Sequence, residues 1–169
     1  MSHNTAPLVV VMGVSGSGKT TVGQLLAQRL GVPYAEGDDF HPAPNVAKMR
    51  AGHPLDDEDR RPWLDKIAQW LADHADSGGV VTCSALKRRY RDRLASTVPR
   101  LVFVHLDGSP ELIAARITER RGHFMPPDLL RTQFADLEPL ADDEAGAAIP
   151  IDGTPRQTAD LAHAAVTSL

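Results

Sequence analysis

A chain of 169 residues fits one domain, large enough to bury about 70% of its unfolded surface. Its 42% hydrophobic and 24% charged residues are those of an ordinary globular protein, and a formal charge of −4 argues against a nucleic-acid or membrane partner recruited by net charge. One cysteine, Cys83, leaves no intrachain disulfide to form. No apolar run approaches the roughly 20 residues that span a bilayer. The polar first seven residues do not read as a signal peptide, so a cytoplasmic protein is expected.

Leu8 to Met12 is a short apolar run ending at glycine, the pattern of a buried parallel strand. Val22, Leu25, Leu26 and Leu30 then share one face of a helix that Gly31 stops. Val32-Pro33-Tyr34-Ala35 leads into a second strand that ends at Glu36-Gly37-Asp38. Residues 39 to 62 are dense in proline, glycine and charge, which predicts a long loop or short helices. A long loop in a compact domain is usually functional. Trp63, Ile67, Trp70, Leu71 and His74 recur at helical spacing and end before Gly78-Gly79. Val80-Val81-Thr82-Cys83 is a third strand, followed by the basic segment Lys87 to Arg93. Leu101 to Val104 is a fourth strand, and Ser109-Pro110 opens a helix with a cap residue and a proline at its first position. That helix breaks at Gly122, and residues 122 to 128 predict a mobile excursion before a short helix from Leu129 to Phe134. Ala147 to Ile151 is a candidate fifth strand, and Thr154-Pro155-Arg156-Gln157 opens the last helix with a capping-box pattern.

Strands alternating with helices predict one α/β domain over residues 1–169, a parallel sheet with helices on both faces. A site is expected at the carboxyl ends of the strands. The stretch Gly13-Val14-Ser15-Gly16-Ser17-Gly18-Lys19-Thr20 is the phosphate-binding pattern G-x-x-x-x-G-K-[ST] in its required setting, strand before and helix after. The glycines let successive backbone N–H groups converge on one anion, and a side chain at Gly13 or Gly18 would obstruct that turn. The helix adds the positive end of its dipole. The expected nucleotide-binding set is Gly13, Ser15, Gly16, Ser17, Gly18, Lys19, Thr20 and Thr21. Lys19 reaches the β- and γ-phosphates, and the Thr20 hydroxyl sits on Mg²⁺. A nucleoside-triphosphate site, with Mg²⁺ expected at Thr20, follows.

Asp38 closes the second strand and is expected to face the phosphate loop, as a base for an attacking hydroxyl or as the group that orients it. Asp39 competes for that role, and Glu36 is a candidate indirect Mg²⁺ contact. His41, Lys48, Arg50, His53, Arg60 and Arg61 crowd the 39–62 loop beside four acidic residues, either as a solvated surface or as the grip on an anionic substrate. Two histidines without further His or Cys do not make a closed metal site. Lys87, nearest the third strand, is expected toward phosphate or substrate, with the arginines that follow it solvated. A nucleic-acid role for this segment lacks interleaved aromatics. Arg116 and Arg120 share a helix face, and arginines so placed close over a triphosphate when a lid, here about 120–134, folds down. Cys83, inside a strand, reads as packing.

Several separate stretches together resemble the gluconate kinases. They are the phosphate loop; Gly37-Asp38-Asp39-Phe40-His41-Pro42 with Asn45, Lys48 and Met49; and Gly52 to Arg60 with Pro62-Trp63-Leu64. Cys83-Ser84-Ala85-Leu86-Lys87 with Tyr90-Arg91-Asp92, then His123-Phe124-Met125-Pro126 and Gln133-Phe134 with Leu137-Glu138, complete the set. The resemblance implies a nucleoside-kinase-like five-stranded P-loop core. It implies transfer of the γ-phosphoryl group of ATP to the 6-hydroxyl of gluconate with Mg²⁺, and often a homodimer. Asp38 becomes the base or hydroxyl-orienting group. His41, Lys48, Arg50, Lys87, Arg91 and His123 become candidates around gluconate or its incoming phosphate, and Arg116 and Arg120 lid contacts. Glu36 departs from the aspartate common in that family. Kept beside this reading are a kinase for another small acid such as shikimate and, from a different class, a nucleotide-dependent switch. Against the switch, Asn-Lys-x-Asp is missing and no apolar run ending in aspartate follows the phosphate loop.

Overall fold

The computed structural model describes residues 6–119 and 127–169. Strand β1 (Leu8–Met12) is followed by α1 (Lys19–Leu30), the short β2 (Tyr34–Ala35) and a single 3₁₀ turn at Gly37–Phe40. Helices α2 (Ala43–Arg50) and α3 (Asp57–Asp73) come next, then β3 (Gly79–Thr82), α4 (Arg88–Thr97), β4 (Val102–Asp107) and α5 (Pro110–Glu119). The chain ends with α6 (Pro127–Asp136), β5 (Gly146–Pro150) and α7 (Pro155–Thr167). The five strands form one sheet in the order β2-β3-β1-β4-β5, every pair parallel.

The central strand shows why its sequence is continuously apolar. Val9 and Val11 face one cluster with Leu26 of α1 and Ala162 and Val166 of α7. Leu8, Val10 and Met12 face the other, with Trp63, Ile67 and Leu71 of α3 and Leu94 of α4. Both faces are covered, so alternation between apolar and polar is lost. Because β1 has β3 on one side and β4 on the other, chain connections diverge above its carboxyl end, and the crevice opens there.

Of the two forms expected for it, the 39–62 region takes the short helices and not the long loop. It folds into α2 and the first turns of α3, which begins six residues before Trp63. Asp56 and Asp59 form a reciprocal capping box at the start of α3, and burial of Trp63, Leu64 and Ile67 holds the helix through Pro62. The expected lid falls partly on residues 120–126, outside the described residues; its remainder is the start of α6.

Candidate active site

The phosphate loop leaves β1 and turns into α1 at Gly18, whose φ of +94° is left-handed backbone. A Cβ there would meet only Val22 Cγ2 at 4.0 Å, so the demand for glycine is conformational and not a matter of space. The Ser17 hydroxyl, buried, donates to the Val14 carbonyl at 2.7 Å and braces the loop from inside. Lys19 Nζ donates to the carbonyls of Gly13 at 2.9 Å and Val14 at 3.0 Å. Enclosure by protein lowers the Lys19 pKa, opposed by the charge of Asp38.

Glu36 is the hub beneath the loop. Its Oε2 accepts from the Thr20 hydroxyl at 2.8 Å and from the Tyr34 hydroxyl at 2.7 Å, and its Oε1 accepts from Thr82 at 2.8 Å. Thr20 thus gives its proton to Glu36 and keeps oxygen lone pairs for another partner. That donor set fits Mg²⁺, which takes few protein oxygens and completes its shell with phosphate and water. Among the described residues no group of three or more His, Cys, Asp or Glu could hold a metal by itself. Next along the chain, Gly37 packs so closely on β3 that a Cβ would lie 1.7 Å from the Thr82 carbonyl oxygen. Its N–H donates to Thr82 Oγ1 at 3.0 Å and its carbonyl accepts from Trp63 Nε1 at 2.8 Å. These bonds fix the turn that carries Asp38.

One open cavity gathers Ser15 and Lys19 of the phosphate loop with Asp38, His41 and Arg60. Met49, Leu55 and Trp63 form its apolar side, and Thr132, Gln133 and Asp136 of α6 border it. Asp38 is reached by solvent through the opening but hemmed in by protein elsewhere. That desolvation raises its pKa above the usual carboxylate range, partly offset by Lys19. The His41 ring stacks on Trp63, centroids 4.3 Å apart and planes 13° from parallel. Burial, then the charge of Arg60, lowers its pKa to about 4, so the imidazole is neutral at pH 7. Arg60 Nη1 donates to the Tyr90 hydroxyl at 3.1 Å, and its guanidinium lies 5.5 Å from the centre of the Tyr90 ring.

Other expected substrate residues have different surroundings. Lys48 pairs with Asp59 at 2.8 Å and ties α2 to the start of α3. Arg50, the last residue of α2, is exposed and does not border the cavity. Lys87 caps the N-terminal end of α4 with its ammonium 5.9 Å from the Tyr90 ring centre. Arg91 is committed to the core: it is buried, paired with Glu144 at 2.7 Å and bonded to the Ala85 carbonyl at 2.9 Å. The expectation that Arg91 faces gluconate is therefore corrected, since every direction its guanidinium takes is already filled by protein. Arg116 donates to the carbonyls of Ile151 and Gly153, at the β5–α7 turn. Arg120 and His123 lie outside the described residues.

Arg60, which borders the cavity from the acceptor side, was readable only as one charge among many. Its signal is the capping box: a helix starting at Asp57 puts Arg60 and Trp63, three residues apart, on the cavity side.

The shikimate kinase family model matches residues 15–150. A gluconokinase of Gluconobacter oxydans is 52% identical over 138 residues, 80% of this chain and 78% of the relative. The chain belongs to the gluconokinase family. The crystal structure of a gluconokinase from Sinorhizobium meliloti superposes with a TM-score of 0.91 at 43% identity, covering 97% of this chain and 93% of that one. Shikimate kinase from Aquifex aeolicus gives a TM-score of 0.63 over 95% of this chain and 96% of that one. At 16% identity it shares the fold alone. The expected P-loop kinase fold and the resemblance to gluconate kinases are both borne out, and the protein is a kinase.

Proposed function

We propose that this protein transfers the γ-phosphoryl group of ATP to the 6-hydroxyl of D-gluconate, yielding 6-phosphogluconate and ADP. The observation that carries the reading is the cavity shared by the phosphate-loop lysine, Lys19, and the acceptor-side groups Asp38 and Arg60. A phosphoryl donor and an anionic polyol acceptor meet there. Asp38 takes the hydroxyl proton or aims the hydroxyl in line with the γ-phosphate, and desolvation, by raising its pKa, makes it a stronger proton acceptor. Arg60, held from behind by Tyr90, supplies the cation for the gluconate carboxylate. Lys19, whose ammonium lies at the loop carbonyls of Gly13 and Val14, is the cation for the β- and γ-phosphates.

Mg²⁺, when bound, neutralises charge on the phosphates. Thr20 would hold it through the lone pairs that its bond to Glu36 leaves available. Arg116 closes on the nucleotide after releasing the β5–α7 carbonyls, and Arg120 remains a nucleotide contact on its sequence spacing alone. The same family reading carries a homodimer and a cytoplasmic location, to be checked by light scattering and cell fractionation. A lone buried cysteine suits a reducing compartment.

The deciding experiment is ADP release with ATP and Mg²⁺ against gluconate, shikimate, glycerate, glucose and nucleoside monophosphates, with a no-acceptor control. Stimulation by gluconate above all others is expected. Stimulation by another acid would reassign the acceptor, and slow hydrolysis indifferent to every acceptor would favour a nucleotide-dependent switch.

A further inference from the structure

We propose that Asn45 locks His41 in one tautomer, so that the imidazole presents its Nε2–H to the acceptor cavity as a fixed donor to a hydroxyl oxygen of the substrate. The assignment follows from a chain of donors and acceptors. Asn45 is buried, and its Nδ2 lies 2.7 Å from the backbone carbonyl oxygen of Asp59. A carbonyl can only accept, so the nitrogen of the Asn45 amide, not its oxygen, faces Asp59. The same nitrogen lies 3.2 Å from His41 Nδ1. Its second N–H therefore points at the ring, and Nδ1 must accept. In a neutral imidazole the proton is then on Nε2.

Two further features hold the ring in place. The stack on Trp63 fixes its plane, and Trp63 is itself tied to the Gly37 carbonyl at the turn bearing Asp38. Among the described residues no protein group bonds Nε2, while His41 borders the cavity. Protonation of Nδ1 would set two N–H groups against each other, and the nearby Arg60 charge opposes it as well.

The chemical consequence is a division of labour. A hydroxyl both donates and accepts, and Asp38 as a carboxylate only accepts. His41 through Nε2–H only donates, so it orients a hydroxyl and does not compete with Asp38 for its proton. This inference rests on the proposed acceptor for its substrate but not for its tautomer.

The test has two arms. In the enzyme without substrate, proton–nitrogen correlation spectra of ¹⁵N-labelled imidazoles, with the His41 signal assigned by its loss in His41→Phe, report the tautomer directly. A neutral ring protonated at Nε2 at pH 7 is expected. Protonation at Nδ1, or an imidazolium at pH 7, would overturn the proposal. In the second arm, His41→Phe keeps the stack on Trp63 without a donor and His41→Gln keeps a donor. We expect His41→Phe to lower kcat/KM for gluconate about tenfold, with His41→Gln retaining most of it and the KM for ATP steady in both. Equal losses in Phe and Gln, or none in Phe, would remove the donor role. Asn45→Ala should mix the tautomers in the spectrum; an unchanged spectrum would show that Asn45 sets nothing. Wild-type enzyme that ignores gluconate would overturn the proposed acceptor, and the spectra would still decide the tautomer.

Discussion

Gln133 of α6 grips Ser15 of the phosphate loop twice. Its Oε1 accepts from the Ser15 backbone N–H at 2.7 Å, and its Nε2 donates to the Ser15 hydroxyl at 3.1 Å. The N–H groups of this loop are the ones phosphate requires. A side-chain carbonyl from α6 occupies one of them, and α6 also borders the acceptor cavity. One amide thus joins the phosphate loop to a helix of the acceptor cavity.

Gln133→Leu should free that N–H and tighten ATP binding by about twofold to tenfold, the worth of one net hydrogen bond. Gln133→Glu should weaken ATP binding, because a carboxylate would face the phosphates across the loop. Calorimetric titration with a non-hydrolysable ATP analogue measures both. Unchanged affinity in both variants would mean that the contact does not compete with phosphate.

Glu36 leads to a second prediction. Its two oxygens accept from three hydroxyls, those of Thr20, Tyr34 and Thr82, on α1, β2 and β3. Glu36→Asp is one methylene shorter and cannot reach all three from the same backbone. We expect the Thr20 bond, which joins Glu36 to the solvent-exposed start of α1, to fail first. The Mg²⁺ concentration for half-maximal activity should then rise several-fold, with little change in gluconate KM. A Mg²⁺ dependence identical to that of the wild type would detach Glu36 from the metal.

The third prediction concerns stability. Arg91 and Glu144 are 1% and 5% exposed at their side chains and lie 2.7 Å apart. Removing one member leaves a buried charge without its partner, so Arg91→Ala should destabilise the fold by about 3–5 kcal/mol. Urea unfolding measures this. At a temperature where the variant remains folded, gluconate KM should match the wild type. A raised KM with normal stability would return Arg91 to the substrate.

These sites also mark what the sequence disclosed. The strands were legible because runs such as Leu8–Met12 are buried on both faces, and the phosphate loop because its backbone geometry requires particular residues at fixed positions. Proline and charge are local signals and left residues 39–62 open between a long loop and short helices; the Asp56–Asp59 capping box and the burial of Trp63 decide for helices. Arg91 could not be told from its basic neighbours by local pattern, since its partner lies 53 residues further on. Arg60 and Gln133 share a similar history: each matters because folding brings a distant element beside it.

The last prediction follows from the sign of the Asp38 shift. Desolvation raises its pKa in the folded protein, so the fold holds this proton more tightly than the unfolded chain does. From the unfolded value of about 3.9 upward, the unfolded chain ionises first, and stability falls as pH rises through the folded pKa. At pH 7 wild-type Asp38 is a charged group that the fold disfavours. Asp38→Asn should therefore melt at a higher temperature than wild type at pH 7, with the difference fading as pH falls below the unfolded value of about 3.9, where the carboxyl is protonated in both states. The same variant should lose nearly all turnover while binding ATP normally, because the proton acceptor is gone. The acid limb of wild-type kcat should lie above the ordinary carboxylate range and be absent from any residual activity of Asp38→Asn. A variant that melts below wild type at pH 7 would mean that the attraction of Lys19 outweighs desolvation. A variant that alters only gluconate KM would make Asp38 a binding group. Stability gained together with activity lost would identify Asp38 as a residue kept at a thermodynamic cost for its chemistry.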